Sequence, residues 1–457
     1  MTASFQPAAH SAAQSLTADQ VRQQLSSMLR TLGPVPETET LPLLEALDRI
    51  LAEDVLCPVN VPPHDNSAMD GYAFHGQELA LAAPELRLRV VGTALAGKPW
   101  QGRLQAGDCV KIMTGAVMPA GLDTVVPHEQ VQAVGDEHIR FATGRMGAGD
   151  NRRLRGEDLR QGAVALVRGQ RLTPAALGLL ASLGLVQVTV RRRLRVAYFS
   201  TGDEILSPGS DAREGAIYDS NRFSLQGLLR RMGADVLDLG VVADEPAALE
   251  ERLREASALA DVILTSGGIS AGEADHTRAM LQRLGPVQFW RIAMRPGRPL
   301  AAGLLQPRAP AVLTEKNAAG AYAASAASSA NQSQSLVTSH PAVLLGLPGN
   351  PVAAMVSFLM FVRPALLQLM GSSETAPVPL QVAAAEPLSK RPGRTEYQRG
   401  IVELGADGRA TVRTTGPQGS GVLSSMVAAN AIIVLHEAQA DVQPGDMVSV
   451  IPLTGLI

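Results

Sequence analysis

The stretch RVAYFSTGDE, Arg195 to Glu204, decides the architecture. Val196 to Ser200 form an apolar run that ends in a polar turn carrying a glycine, the mark of a strand buried on both faces that delivers the chain to a loop at its carboxyl end. The pattern repeats outward. A helix is expected from about Arg222 to Met232, then strand DVLDLGVV, a helix from Pro246 to Ala258, strand DVILT and a helix from Asp275 to Leu284. Apolar runs VQFWRIAM and VLLGL follow, with a long helix after Pro351. Strands alternating with helices imply a central parallel α/β sandwich, here residues 194–371. Asn317 to Ser335 is uncharged and poor in bulky apolar residues, so a disordered insertion is expected at about 306–340.

Around this core the composition changes. Residues 1–16 are rich in Ala, Ser and Gln and are expected to be a disordered N-terminus. Thr17 with Gln20 makes a capping box for a helix to about Leu32, and the apolar spacing predicts a second helix from about Leu41 to Ala52. Residues 58–157 hold β-branched runs (LRLRVVG, DCVKIM, DTVVPHEQV, EHIRFA) parted by Gly and Pro, which predicts an all-β domain. Thr173 followed by Pro174 starts another helix through Ser182, so the β domain is inserted in a discontinuous helical domain made of residues 17–57 and 158–193. Residues 372–457 predict a C-terminal β-barrel-like domain. The fold class is multidomain α/β plus β.

Composition excludes several functions. At about 150 residues per domain, 457 residues make about three domains rather than one module. Forty basic against 43 acidic residues leave a net charge of −3, so no basic field exists to hold nucleic acid, and aromatics at 3% argue against base stacking. Cys57 and Cys109 lie outside any metal-binding spacing and read as buried thiols in a reducing compartment. The first Arg is Arg22, so no secretory or transit signal is read, and a cytoplasmic location is expected. Pro341 to Val362 carries no charge, but its central LPGNP would break a membrane helix; strand, loop and helix are expected, and no membrane span.

Ligands of open α/β sheets bind at the carboxyl edge of the strands. Four loops qualify there: STGDE (Ser200, Thr201, Gly202, Asp203, Glu204), TSGGIS with Ser266, Gly267 and Gly268, MRPGRP with Arg295 and Arg298, and GLPGNP with Pro348, Gly349, Asn350 and Pro351. Their glycines admit backbone N–H groups close to a ligand, and two lead to helix N-termini. A phosphate-bearing ligand is implied, with both arginines as fixed positive charge. Glycine is also what any strand-to-helix turn uses, so one such loop alone reads as structure, and it is four with polar tips on one edge that point to a site. Glu204, Asp244 and Asp275 stand at the same edge, and acids beside an anionic ligand imply an intervening cation, for which Mg²⁺ is the usual choice. Asp244 and Asp275 fit helix caps as well. In the β domain Asp70 with Gly71 suits a hairpin turn, Thr114 sits on a Gly-rich loop, and Asp158 ends RGED. His64 has no partner at metal-ligand spacing.

Taken in order, SAMDGYA, IMTGAVMP, RGED, STGDE, IYDSN, SGGIS with GEAD, RPGRP, GLPGNP, YQRG and QGS resemble the molybdopterin molybdenumtransferase family, to which the E domain of gephyrin is related. The resemblance runs from about Leu41 to the C-terminus. It implies a Mg²⁺-dependent transferase that inserts molybdate into adenylated molybdopterin, releasing AMP and yielding molybdenum cofactor. It implies catalytic roles for Asp70, Thr114, Asp158, Glu204, Asp244 and Asp275, with Glu204, Asp244 and Asp275 as metal ligands. Phosphate and pterin contacts fall on Arg295, Arg298, Pro348, Pro351, Arg399 and Ser420. Members are homodimers whose site is shared between subunits, and handover to a molybdopterin adenylyltransferase or to molybdoenzymes is implied. Similar proteins carry lysines where this chain has Arg295 and Arg298, which keeps the charge and changes the donor geometry. The alternatives are a molybdopterin adenylyltransferase, which uses a similar α/β domain, and a non-catalytic pterin-binding scaffold.

Overall fold

The computed structural model describes residues 15–81, 84–144, 146–268, 275–306, 340–374 and 376–457. The expected disordered N-terminus and the Ala/Ser-rich insertion lie outside these residues, apart from their borders. Leu16, at one border, is buried and its N–H donates to the Arg291 carbonyl at 2.9 Å. Contacts divide the chain into two compact units, residues 1–39, 48–50 and 190–457, and residues 40–47 and 51–189.

In the first unit a six-stranded sheet runs in the order Asp235–Val242, Arg195–Thr201, Val262–Ser266, Ala342–Leu347, Pro299–Leu305, Val287–Arg291. The first four strands are parallel, as the alternation implies; Pro299–Leu305 is antiparallel to them, and Val287–Arg291, antiparallel to Pro299–Leu305, runs again in their direction. Side chains of the Arg195–Thr201 strand sort by parity. Val196 and Tyr198 pack with Leu225 and Leu229 on one face, while Ala197 and Phe199 pack with Leu249, Leu253 and Met280 on the other. Helices Ser220–Arg231 and Pro351–Leu369 thus share one core, and Pro246–Leu259 and Asp275–Leu284 the other.

Among the described residues Pro351–Leu369 is the one helix long and apolar enough to cross a membrane, and 78% of its apolar window is buried in the protein. It is the core helix that the LPGNP break anticipates. Pro364 has no N–H for the Met360 carbonyl, and the turn Phe358–Val362 widens to a π-helix in which Arg363 N–H reaches the Phe358 carbonyl. The helix Ala18–Arg30 starts with the expected capping box: Gln20 N–H donates to Thr17 Oγ1 at 3.2 Å and Thr17 N–H to Gln20 Oε1 at 2.8 Å. Leu305 and Ala342 are register partners, so the ends of the intervening segment leave the sheet side by side.

Below the amino end of Val262–Ser266, Asp261 is buried and accepts both terminal nitrogens of Arg192 at 3.0 Å and the Arg195 N–H at 2.7 Å. His340 Nε2 stands 3.2 Å from the same carboxylate. Burial alone would push the Asp261 carboxyl up; His340 and the paired Arg192 outweigh it and hold it at about 2.

The C-terminal part closes into a five-stranded barrel of Leu380–Ala384, Thr395–Leu404, Ala410–Thr414, Ala431–Leu435 and Met447–Pro452 around Val382, Val412, Ile433 and Val450. Met294 and Arg295 pair in parallel with Thr395 and Glu396, which ties the arginine loop to the barrel.

The second unit holds another six-stranded sheet, ordered Thr124–Pro127, Gly71–Phe74, Asp108–Ile112, Glu85–Ala94, His138–Ala142, Gln132–Val134. Its helix Pro174–Ser182 is capped by Thr173 Oγ1, which accepts from Ala176 N–H at 3.3 Å. The two helices grouped from the sequence as one discontinuous domain therefore fall in different units. The helix expected over Leu41–Ala52 is absent. Leu41 precedes a proline and stays extended in Thr38–Pro42, a single 3₁₀ turn spans Leu43–Ala46, and Asp48 turns left-handed at φ 61°. Cys57 and Cys109 are free and buried, and burial pushes the Cys109 thiol up to about 12.

Candidate functional site

At the carboxyl edge of the parallel strands the first unit opens a cleft of about 890 Å³. One side is built by Ser200, Thr201, Gly202 and Glu204 after the Arg195–Thr201 strand and by Asp244 after Asp235–Val242. Ser266, Gly267 and Gly268 form the next segment, then Pro348, Gly349, Asn350 and Pro351. Arg295 and Arg298 line the far side with Ser420 of the barrel. The arginine loop follows the carboxyl end of Val287–Arg291, which runs in the direction of the parallel strands, so it lies at this edge as the sequence implies. It precedes Pro299–Leu305, which is antiparallel to Ala342–Leu347, so its amino end meets the carboxyl end of its neighbour. The barrel loop is fastened to the sandwich where Val352 N–H donates to the Ser420 carbonyl at 3.0 Å.

Glycine is required where loops cross. A Cβ on Gly202, at φ 142°, would stand 2.7 Å from Glu204 Oε2, so the bare backbone lets that carboxylate lie over its own turn. Below, Tyr198 is fully buried, with its hydroxyl 2.8 Å from Ser200 Oγ and 2.7 Å from Ser266 Oγ, and burial pushes its phenol well up. Asp203 does not line the cleft; its Oδ1 accepts the Asp244 N–H at 3.3 Å and so positions that loop.

Arg399 lies behind the wall rather than in it. It is 1% exposed, donates from Nε to Ser425 Oγ and from a terminal nitrogen to the Gly419 carbonyl, both at 3.0 Å, and lines an adjoining cavity of about 510 Å³ with Arg295, Arg391 and Arg394. Burial and the neighbouring Arg295 lower it to about 10, so it is still cationic at neutral pH. Asp275 opens the helix Asp275–Leu284, and its side chain is outside the described residues.

The remaining acids belong to the second unit. Asp70 Oδ1 accepts both the backbone N–H and the hydroxyl of Thr114 at 2.7 Å, and these bonds hold its carboxyl below the usual range. Asp70, Thr114 and Asp158 are all exposed. Residues without an assigned role from the sequence also line the cleft: Asp219, Asn221, Arg394 and Gln418. The first two belong to the IYDSN stretch, so a signal was present.

Among the described residues no three His, Cys, Asp or Glu side chains gather as a metal cage. The donor set nonetheless fits Mg²⁺, which binds through one or two carboxylates plus ligand phosphates and keeps several waters, and Glu204 and Asp244 supply two hard oxygen donors.

Three family models match the chain: the MoeA N-terminal region (domain I and II) over residues 17–184, a probable molybdopterin binding domain over 197–368, and the MoeA C-terminal region (domain IV) over 381–453. A molybdopterin molybdenumtransferase of Haemophilus influenzae is 39% identical over 97% of this chain and 100% of its own. The chain belongs to the molybdopterin molybdenumtransferase family. A family member from Nostoc is 33% identical over 93% of this chain and 91% of its own. The crystal structure of the molybdopterin biosynthesis moeA protein of Pyrococcus horikoshii OT3 superposes with a TM-score of 0.73 at 25% identity, covering 96% of this chain and 100% of that one. Membership makes this chain an enzyme of molybdenum cofactor biosynthesis.

Proposed function

We propose that the enzyme inserts molybdate into adenylated molybdopterin in a Mg²⁺-supported reaction that releases AMP. The observation that carries this reading is the division of one cleft into a cationic side, Arg295 and Arg298, and an acidic side, Glu204 and Asp244. A ligand with only negative groups would be repelled by the acids, and one without them would leave the arginines unmatched; a pterin nucleotide with an interposed cation satisfies both.

Mg²⁺, when bound, would neutralise charge on phosphate oxygens, and Glu204 and Asp244 would hold it, with Asp275 by family resemblance. Arg295 and Arg298 bind and orient the anionic oxygens of nucleotide and molybdate. The glycine turns let backbone N–H groups approach the ligand, and the hydroxyls of Ser200 and Ser266 are aligned from behind by Tyr198. Arg399 holds the loop that presents Ser420. This arrangement needs no side-chain nucleophile, and its contribution is positioning and charge compensation. Asp70, Thr114 and Asp158 are assigned to the cleft of a partner subunit in a homodimer, the arrangement the family resemblance implies.

Adenylated molybdopterin, molybdate and Mg²⁺ mixed with the enzyme are expected to release AMP. Glu204→Gln is expected to slow release by about a hundredfold or more, as for loss of an electrostatic anchor at the reacting group. Release at the wild-type rate by that variant would refute the assignment.

A further inference from the structure

Three buried polar atoms in the cleft wall are without a partner among the described residues: Thr201 Oγ1, which can donate as well as accept, and two oxygens that can only accept. Asp219 is 3% exposed; its Oδ1 caps the helix Ser220–Arg231 by accepting Arg222 N–H at 3.0 Å, and its Oδ2 has no partner among the described residues. Asn221 is 8% exposed; its Nδ2 donates to the Gly349 carbonyl at 2.7 Å, and its Oδ1 is likewise unpartnered. Both residues line the cleft. A buried acceptor without a donor is costly to keep, and two at one wall call for donors from a ligand.

We propose that Asp219 and Asn221 form the acceptor edge that recognises the amino-pyrimidine end of a pterin, and thereby fix which way round the nucleotide lies. This rests on the pterin reading above and goes beyond it by naming the residues that select the heterocycle. Phosphate and molybdate oxygens are acceptors and cannot satisfy these atoms. The 2-amino group and ring N–H of a pterin are donors and can. The anionic end then lies toward Arg295 and Arg298, which line the same cleft with donors only. The cleft offers acceptors at Asp219 and Asn221 and donors at Arg295 and Arg298, and each can be satisfied by only one end of the nucleotide.

The test compares 6-hydroxymethylpterin with 6-hydroxymethyllumazine, in which the 2-amino donor is replaced by an oxo acceptor, by fluorescence titration of the full chain. AMP and adenylated molybdopterin are titrated alongside. The wild type is expected to prefer the pterin by about tenfold or more, the effect of one hydrogen bond to a charged group. Asp219→Asn keeps the helix cap, since Asn caps as well as Asp, but presents a donor or a neutral oxygen to the ligand. It is expected to lose the preference while AMP affinity and the unfolding midpoint stay unchanged. If it does not fold, Asp219→Ser, which also retains a capping oxygen, carries the same comparison. An undiminished preference in the variant overturns the inference. So does a wild type that binds adenylated molybdopterin but shows no preference, or binds neither small heterocycle; in both cases the proposed function stands. A wild type that binds no adenylated molybdopterin overturns the function, and this inference with it.

Discussion

Gly268 shows how closely the cleft loops approach one another. At φ +56° a Cβ there would stand 2.0 Å from Thr201 Oγ1 and 3.4 Å from Asp244 Oδ1. Gly268→Ala must therefore displace the loop that carries Thr201 or open the turn, and is expected to lower kcat/KM by about a hundredfold, the usual effect of a misplacement near 1 Å. Steady-state AMP release checks it, with thermal unfolding as the control for folding. Asp261 provides a residue-level test of stability. Its folded pKa of about 2 lies below the value near 3.9 of an unfolded Asp, so its stabilisation is complete above the unfolded value and is lost as pH falls through the folded one. Asp261→Asn removes the buried carboxylate of Arg192, which keeps only the exposed Glu37 at 3.2 Å, and is expected to cost about 3 kcal/mol at pH 7. The deficit should shrink between about pH 4 and pH 2, as wild-type Asp261 itself becomes protonated. Denaturant titrations at pH 7 and pH 3 measure both values. The acids and arginines of the cleft were legible from the sequence because they sit directly after strands. Asp219 and Asn221 lie in the IYDSN stretch that the sequence does flag, but their role is not legible there, because it rests on oxygens left unbonded, which only three-dimensional packing exposes.

At the scale of elements, the parallel strands and their helices follow from apolar runs and caps that need only local sequence. The helix Ala18–Arg30 is the plainest example, its start set by Thr17 and Gln20. Thr17→Ala is expected to cost about 1 kcal/mol of stability. Equilibrium unfolding checks it, and AMP release by the folded variant should match wild type. Two elements escaped the sequence reading for physical reasons. Leu41–Ala52 has helical apolar spacing, yet Pro42 and the left-handed Asp48 override it. The strand Pro299–Leu305 follows the arginine loop with no helix between, because an antiparallel neighbour needs only a turn, so the alternation that revealed the other strands could not reveal it.

At the scale of the whole molecule, Asp70 and Thr114 lie in one compact unit, and Glu204 and the arginines in the other. If the site is completed by a partner subunit, Asp70→Ala and Glu204→Gln are defective in different halves of it. Mixing the two inactive dimers under conditions of subunit exchange should then restore about a quarter of wild-type activity, since half the dimers are mixed and each has one intact site. AMP release after exchange measures this, and no recovery would contradict a shared site. The sequence motifs could link these acids through family resemblance alone; spacing along the chain carries no information about contacts between copies.

The most direct test of the central claim is to incubate the enzyme with adenylated molybdopterin, molybdate and Mg²⁺, and to measure molybdenum bound to the pterin together with AMP. The account predicts that the two products appear in equal amounts with wild type, and that both are lost in Glu204→Gln and Arg298→Ala. AMP formed without molybdenum on the pterin, or undiminished insertion by either variant, would contradict it.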